Sequence, residues 1–193
     1  RSRGLGDVYK RQLIAMTDTA FLGRLSSIAL GASMVAGVYY YVFSTLAWGF
    51  GVGVQIMVAR RLGEKRFKRI GVIFEHGLLT VAFLALTLFL ILHFMSDAAL
   101  RLFIQSPNIY DAAVEFIKYR HYGILFVCFN YLFRSLYIGL SNTRCITYTT
   151  IVMACVNIFL DYALIFGHCG FPEMGIGGAA IASVIAELSA FLF

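Results

Sequence analysis

Long apolar runs separated by short polar connections dominate the sequence. Five of these runs are long enough to cross the roughly 30 Å hydrocarbon core of a bilayer as α-helices. They cover residues 28–58, 70–95, 112–140, 146–166 and 176–193. The pattern therefore predicts an all-α fold, built as a polytopic bundle of membrane helices.

Both ends of this pattern are incomplete. A further apolar run occupies residues 13–22, but a helix of that length covers about 15 Å, which is half of a bilayer crossing. The final run ends at Phe193 without the charged flank that marks a membrane interface. We therefore expect about six transmembrane helices, of which the first and the last are truncated.

Residues 1–12 do not continue the apolar run that follows them. They contain four basic residues and one acid. The string "GLGDVYKRQ" is similar to a tail found in translated metagenomic reads when sequencing-adapter DNA remains in an open reading frame. We expect residues 1–12 to be a non-native tail and assign residues 13–193 to the helical bundle. A native amphipathic anchor or targeting peptide is the alternative interpretation.

Composition strengthens the membrane interpretation. Hydrophobic residues make up 60% of the chain and charged residues 13%, with a mean hydropathy of +0.81, whereas about one quarter of a soluble domain is charged. A formal net charge of +6 would favour a nucleic-acid partner in a soluble protein. Here the basic residues lie between apolar runs, so we expect the lipid bilayer, and no nucleic acid, as the partner.

The distribution of charge predicts the orientation of the chain. Residues 59–71, "ARRLGEKRFKRIG", contain six basic residues and one acid, and short connections of this kind face the cytoplasm. Alternation then predicts that residues 141–145 are also cytoplasmic, and that residues 23–27, 96–111 and 167–175 lie outside. We expect "SDAALRLFIQSPN", in the second outer connection, to lie along the membrane interface.

Two carboxylates occur within the apolar runs. Asp18 lies in the incomplete first run and Asp161 in the run 146–166. Because ionised groups are costly inside a bilayer, such residues are functional candidates by default. Asn157 precedes Asp161 by four residues and therefore shares its helix face. These three residues predict a site for H⁺ or Na⁺. The alternative is that each aspartate only hydrogen-bonds a neighbouring helix.

Other polar residues within the runs are weaker candidates. Glu187 lies deep in the last run and is as consistent with a polar cavity as with a structural role. Arg134 is the only basic residue that we expect well inside a run, and its side chain can extend to the cytoplasmic interface. The four histidines lie near the ends of runs without the spacing of metal ligands, so we expect them to pack there.

Several segments together resemble one family of membrane transporters. They read "MTDTAFLGRLS", "GFGVGVQIMVARRLGEKR", "RSLYIGLSNTRCITYTTIVMACVNIFLDYALIFG" and "PEMGIGGAAIAS", in the order and spacing of the N-terminal half of multidrug and toxic compound extrusion (MATE) transporters. The resemblance implies twelve helices in two six-helix bundles around a cavity that opens alternately to either side. It also implies a secondary antiporter, not an enzyme, that exports amphipathic or cationic organic compounds in exchange for H⁺ or Na⁺.

The resemblance also implies site residues. The family's first-helix aspartate matches Asp18, and its fifth-helix asparagine and aspartate match Asn157 and Asp161. Some members complete this site with a sixth-helix threonine, but residues 179–183 contain none. The hydroxyl of Ser183 is the candidate replacement, and the choice between H⁺ and Na⁺ stays open.

The resemblance further implies the setting in which this chain works. Small organic cations or drugs would be its substrates, and it would need no cofactor beyond the coupling ion. Its partners would be the lipid bilayer and a missing C-terminal bundle of the same chain. The implied location is a bacterial inner membrane.

Two other functions share part of the pattern. A lipid-linked oligosaccharide flippase has a related two-bundle architecture, but its cavity must hold a pyrophosphate and is usually basic, whereas the candidates here are acidic. An intramembrane aspartyl protease would need a YD motif on one helix and a GxGD motif on a later one. Here the GLGD string at residues 4–7 lies on the polar tail and Asp161 precedes Tyr162, so the pattern argues against this class.

Overall fold

The structure of the chain is a computed structural model that describes residues 16–168 and 170–193. Every regular element in this part of the chain is a helix. In chain order the helices are α1 (residues 16–25), α2 (Ser27–Gly63), α3 (Phe67–Phe103), α4 (Pro107–Arg120), α5 (Gly123–Gly139), α6 (Arg144–Phe166) and α7 (Gly175–Leu192). The all-α prediction is confirmed. The predicted tail 1–12 and the start of the run 13–22 lie outside the described residues.

The helices account for all five of the long apolar runs. By length and composition, α2, α3, α6 and α7 can each cross a membrane. Helices α4 and α5 meet this criterion only together, as one span that is bent by 55°. The chain is therefore a multi-pass membrane protein with four or five such spans in the described residues, and α1 covers the described part of the apolar run 13–22.

The span formed by α4 and α5 is broken, although the sequence predicted one continuous run over residues 112–140. Helix α4 ends at Arg120 and α5 begins at Gly123. At the break, Nδ1 of His121 lies 2.9 Å from a carbonyl oxygen of α4, and its Nε2 lies 3.2 Å from Nδ1 of His93 on α3. Hydropathy along the run missed this break because one of the contacts that form it, between His121 and His93, is made with a different helix.

Two connections that the sequence analysis predicted to lie outside are shorter than expected. Helices α1 and α2 are separated only by Ser26, whose Oγ accepts a hydrogen bond of 2.9 Å from a backbone N–H in the first turn of α2. The segment expected to lie along the interface instead continues α3 as far as Phe103. The reason is that no glycine or proline occurs between Gly77 and Pro107 to interrupt the helix.

The basic connection between α2 and α3 is also short, because the helices extend into it from both sides. Glu64 accepts hydrogen bonds from Nη1 of Arg61 at 2.6 Å and from Nε of Arg60 at 3.2 Å. The hydrogen-bonded Arg61 guanidinium holds the pKa of Glu64 below its usual range. The surrounding basic residues outnumber this acid and keep this end of the bundle positive.

Glycine and alanine make many of the contacts between helices, and many large apolar residues lie on the outside. On α3, Leu79, Phe83 and Phe94 are strongly exposed. The buried small residues on two of the other helices are Ala29, Ala32, Ala36, Ala47 and Gly51 on α2 and Gly177, Gly178, Ala179, Ala180, Ala182, Ala186 and Ala190 on α7. This arrangement is typical of membrane bundles, where small residues let backbones approach and large apolar side chains face lipid.

Candidate functional site

A cavity of about 580 Å³ lies between the helices, with walls from every helix except α3. Its polar and charged lining residues are Asp18, Thr19, Ser33, Tyr40, Tyr41, Ser44, Arg120, Asn130, Tyr131, Ser183 and Glu187. Three of the residues selected from the sequence, Asp18, Ser183 and Glu187, therefore line one cavity.

Asn157 and Asp161 lie on α6 and are buried behind the cavity wall. Their exposed fractions are 2% and 0%, and they share one face of the helix as predicted. The Asp161 carboxyl is close enough to the Asp18 carboxyl on α1 for the two groups to interact electrostatically. The structure thus brings Asp18 and Asp161 together, although they stand more than 130 positions apart in the sequence. We call Asp18, Asn157 and Asp161 the α1–α6 site.

The side-chain oxygens of the α1–α6 site are poorly satisfied. Within the described residues, both Asp161 carboxylate oxygens, Oδ1 of Asn157 and Oδ1 of Asp18 are buried without a hydrogen-bond partner. Two carboxylates that are both ionised repel each other in a medium of low dielectric constant, so the arrangement favours uptake of a proton or a cation. Carboxylate and amide oxygens are also the ligand type that hard cations prefer.

A buried ion pair lies on the same cavity wall. Arg120, the last residue of α4, donates from Nη2 to Oε1 of Glu187 on α7 at 2.6 Å and from Nη1 to Oε2 at 2.8 Å. The exposed fractions of the two side chains are 13% and 10%. The Arg120 Cζ lies 4.0 Å from the centre of the Tyr40 ring, and Nδ2 of Asn130 donates to the backbone oxygen of Glu187 at 2.9 Å.

This ion pair corrects one statement of the sequence analysis and adds to another. Arg134 is not the only basic residue well inside a span, because Arg120 is buried within the α4–α5 span. Glu187 does line the cavity, but both of its oxygens are engaged by Arg120. Arg120 could have been selected from the sequence as a charged residue inside the apolar run 112–140. Its partner Glu187 could not have been predicted, because it is 67 positions away in the sequence.

Nothing else in the described part of the chain resembles a metal centre. No group of three or more His, Cys, Asp and Glu side chains there could hold a metal ion. The α1–α6 site contains two carboxylates and one amide, a set suited to a proton or a monovalent cation. Ser183 lies on α7 and lines the cavity, and its role as an accessory hydroxyl stays a prediction.

The fold and the site together define a class: a multi-pass helical membrane protein with poorly satisfied carboxylates beside a cavity that is lined in part by polar and charged residues. Comparison with known proteins identifies the family. Residues 11–163 match the model of the MatE family, and the chain belongs to this family. The family membership expected from the sequence is confirmed.

Individual relatives match along nearly the whole chain. The "Probable multidrug resistance protein NorM" of Agrobacterium fabrum is 31% identical over 186 residues, and the match covers 93% of this chain and 38% of that protein. The protein of the same name from Thermotoga maritima is 28% identical, and the match covers 39% of that protein. The chain thus spans about two fifths of the length of these relatives.

Solved structures show the same fold. A MOP superfamily transporter from Pyrococcus furiosus, described as having a binding pocket of reverse polarity, superposes with a TM-score of 0.91 at 21% identity, covering 99% of this chain and 41% of that one. A multidrug resistance MATE family transporter in its outward-facing conformation gives a TM-score of 0.90 at 21% identity, with 97% and 41% coverage. The predicted bundle of membrane helices is therefore confirmed as one that occurs in MATE transporters.

Proposed function

We propose that this chain forms the N-terminal bundle of a secondary active multidrug efflux antiporter. It would export amphipathic or cationic organic compounds in exchange for H⁺ or Na⁺, and it would not act as an enzyme. The observation that carries this proposal is the α1–α6 site, with its unpartnered buried oxygens beside a cavity of about 580 Å³. The multidrug resistance names of the relatives support the substrate class.

The proposed exchange follows from competition for one negative charge. When the coupling ion leaves the α1–α6 site, the uncovered carboxylate charge attracts an organic cation into the cavity. When a proton or Na⁺ returns, the charge is cancelled and the affinity for the organic cation falls. A one-for-one exchange of monovalent cations moves no net charge across the membrane, so the concentration gradient of the coupling ion drives export in this scheme. Each additional coupling ion that moves inward would add about 2.3 kcal/mol per 100 mV of membrane potential.

The helices of this bundle would form only part of the wall of a complete transport path. The NorM relatives of the chain are covered to 38% and 39% of their length, so we propose that a C-terminal bundle of the same protein closes the cavity on its other side. A lipid-linked oligosaccharide flippase fits less well. The cavity wall described here contains one basic side chain, Arg120, and Glu187 already neutralises it.

The proposal is tested by transport in proteoliposomes that contain the full-length protein. An imposed H⁺ or Na⁺ gradient should drive a fluorescent organic cation such as rhodamine 6G against its concentration gradient, and an ionophore that dissipates the effective gradient should stop it. The gradient that works identifies the coupling ion. Failure of both gradients with several organic cations, in vesicles that retain folded protein, would disprove the proposal.

The proposed location is a bacterial inner membrane with residues 59–71 in the cytoplasm, which labelling can check. In a variant with all four cysteines replaced by serine, we expect Lys65→Cys to react with a membrane-impermeant maleimide in inverted vesicles and not in intact cells. The control is Gln105→Cys, in the connection between α3 and α4, which should show the opposite pattern because α3 separates the two positions. A reversed result for both cysteines would place residues 59–71 outside.

A further inference from the structure

Few charged side chains line the cavity, so the partner of each one can be identified. Among the described residues, Asp18, Arg120 and Glu187 are the charged side chains that line the cavity, and Asp161 lies directly behind Asp18. Arg120 also interacts electrostatically with Asp18. The α1–α6 site thus has a guanidinium in its neighbourhood, and this guanidinium is already paired with a different carboxylate.

The Arg120–Glu187 pair is held firmly from several sides. Two parallel hydrogen bonds of 2.6 and 2.8 Å join the guanidinium to both carboxylate oxygens, which is the most directional geometry for this pair. The Tyr40 ring covers the guanidinium at 4.0 Å, and Asn130 fixes the α7 backbone at Glu187. Neither charge of the pair is therefore free to bind a substrate.

The break between α4 and α5 is built around this pair. Gly123 is the first residue of α5, and a Cβ atom at this position would overlap Nη1 of Arg120 and Oε2 of Glu187, and would lie 3.2 Å from the Tyr40 hydroxyl oxygen. The absence of a side chain at Gly123 therefore makes room for the pair at the bend. The pair ties α4, α5 and α7 together at the cavity wall.

We propose that the Arg120–Glu187 pair sets the charge selectivity of the cavity, so that it accepts organic monocations in preference to organic dications. This inference rests on the proposed efflux function and names its substrate class. By neutralising Glu187, Arg120 leaves the α1–α6 site as the available negative charge on this wall. Two carboxylates so close together retain a proton or cation between them for most of the cycle, which leaves about one negative charge for the substrate.

A second cationic group on the substrate would find no partner on this wall. It would have to be desolvated near the Arg120 guanidinium, and like charges that meet in a low-dielectric site are strongly unfavourable. Loss of the Arg120 charge would release Glu187 as a second anionic contact. The cavity would then favour substrates that carry two positive charges.

The test compares two probes that share a carbon skeleton. Decyltrimethylammonium carries one quaternary ammonium group, and decamethonium carries a second one at the other end of the same ten-carbon chain. The readout is the ratio of their kcat/KM values for gradient-driven transport by the full-length protein in proteoliposomes. In Arg120→Gln, which keeps a hydrogen-bond donor but not the charge, we expect this ratio to shift by about tenfold towards decamethonium.

Two further variants separate charge selectivity from a structural role. Glu187→Gln leaves the Arg120 charge unpaired and should shift the ratio in the opposite direction, towards the monocation. The double variant, with both substitutions, restores the net charge of the wall and should return the ratio to within about twofold of wild type. A pair that only stabilised the fold would lower transport of both probes equally in every variant, and an unchanged ratio would therefore overturn this inference.

Gly123→Ala gives an independent test, which also applies if Arg120→Gln is not recovered from the membrane. It keeps every charge but displaces the pair, so the ratio should shift towards decamethonium by about two- to threefold. The control is Gly53→Ala, because a Cβ at Gly53 meets nothing within 4 Å, and its ratio should equal that of wild type. Equal ratios in both glycine variants would contradict the inference.

The two proposals fail in different ways. If wild-type protein transports neither probe nor any other organic cation under an imposed gradient, the efflux function itself is wrong. If wild-type protein transports the monocation and the variants leave the ratio unchanged, efflux stands and only the role of the Arg120–Glu187 pair is wrong.

Discussion

An Asp161→Asn variant of the full-length protein is expected to lose gradient-driven drug efflux by a factor on the order of 100, the lower end of what a positioned proton-transfer group contributes. The substitution keeps the size of the side chain and removes its charge and its ability to exchange a proton. Asp161 is fully buried and interacts with Asp18, so its replacement leaves Asp18 without the second carboxylate that favours uptake of a proton or a cation. Efflux is measured in proteoliposomes as described for the wild type.

The stability of this variant should not fall with its activity. Neither carboxylate oxygen of Asp161 has a hydrogen-bond partner in the described residues, so the amide loses no such contact and carries no buried charge. We expect a melting temperature in detergent that is equal to or above that of wild type. The control is Asp111→Asn on the exposed face of α4, which should retain full efflux. Wild-type efflux by the Asp161→Asn protein would refute the role of Asp161 in coupling.

A Gly178→Ala variant is expected to destabilise the bundle by about 1–3 kcal/mol, the usual cost of forcing extra volume into a packed core. A Cβ at Gly178 on α7 would lie 2.7 Å from the carbonyl oxygen and 2.8 Å from the carbonyl carbon of Leu164 on α6. That carbonyl oxygen also accepts a hydrogen bond of 2.9 Å from the Met174 N–H. The obstacle is therefore anchored backbone, and α6 and α7 would have to separate.

Separation of α6 and α7 would also disturb the α1–α6 site, since α6 carries Asp161. Thermal unfolding in detergent, followed by tryptophan fluorescence or by size-exclusion chromatography after heating, measures the loss of stability. Gly53→Ala is again the matched control, and it should be neutral or slightly stabilising because alanine is the better helix former. Equal melting temperatures for Gly178→Ala and wild type would show that α6 and α7 do not pack as closely as the structure indicates.

The sequence by itself determined the fold class and most of the helices. Crossing a bilayer requires about 20 consecutive apolar residues, so each span is encoded locally and can be read from a single run. The same reasoning selected Asp18 and Asp161, because a carboxylate inside an apolar run stands out by its cost. The spacing of Asn157 and Asp161 placed both on one helix face, and the quoted segments indicated the family. That residues 1–12 are a non-native tail stays a prediction.

Only the tertiary structure decided which of these residues meet and which charges are already paired. Asp18 and Asp161 lie on different helices, and Arg120 and Glu187 are 67 positions apart, so no periodicity in the sequence relates them. The break after Arg120 was missed for the same reason, since His121 at the break contacts His93 on α3 and Gly123 leaves room for a pair formed with α7. Local hydropathy reports the preference of each segment for lipid. Contacts between segments depend on helix packing, and here they decide whether an acidic residue such as Glu187 is neutralised or available.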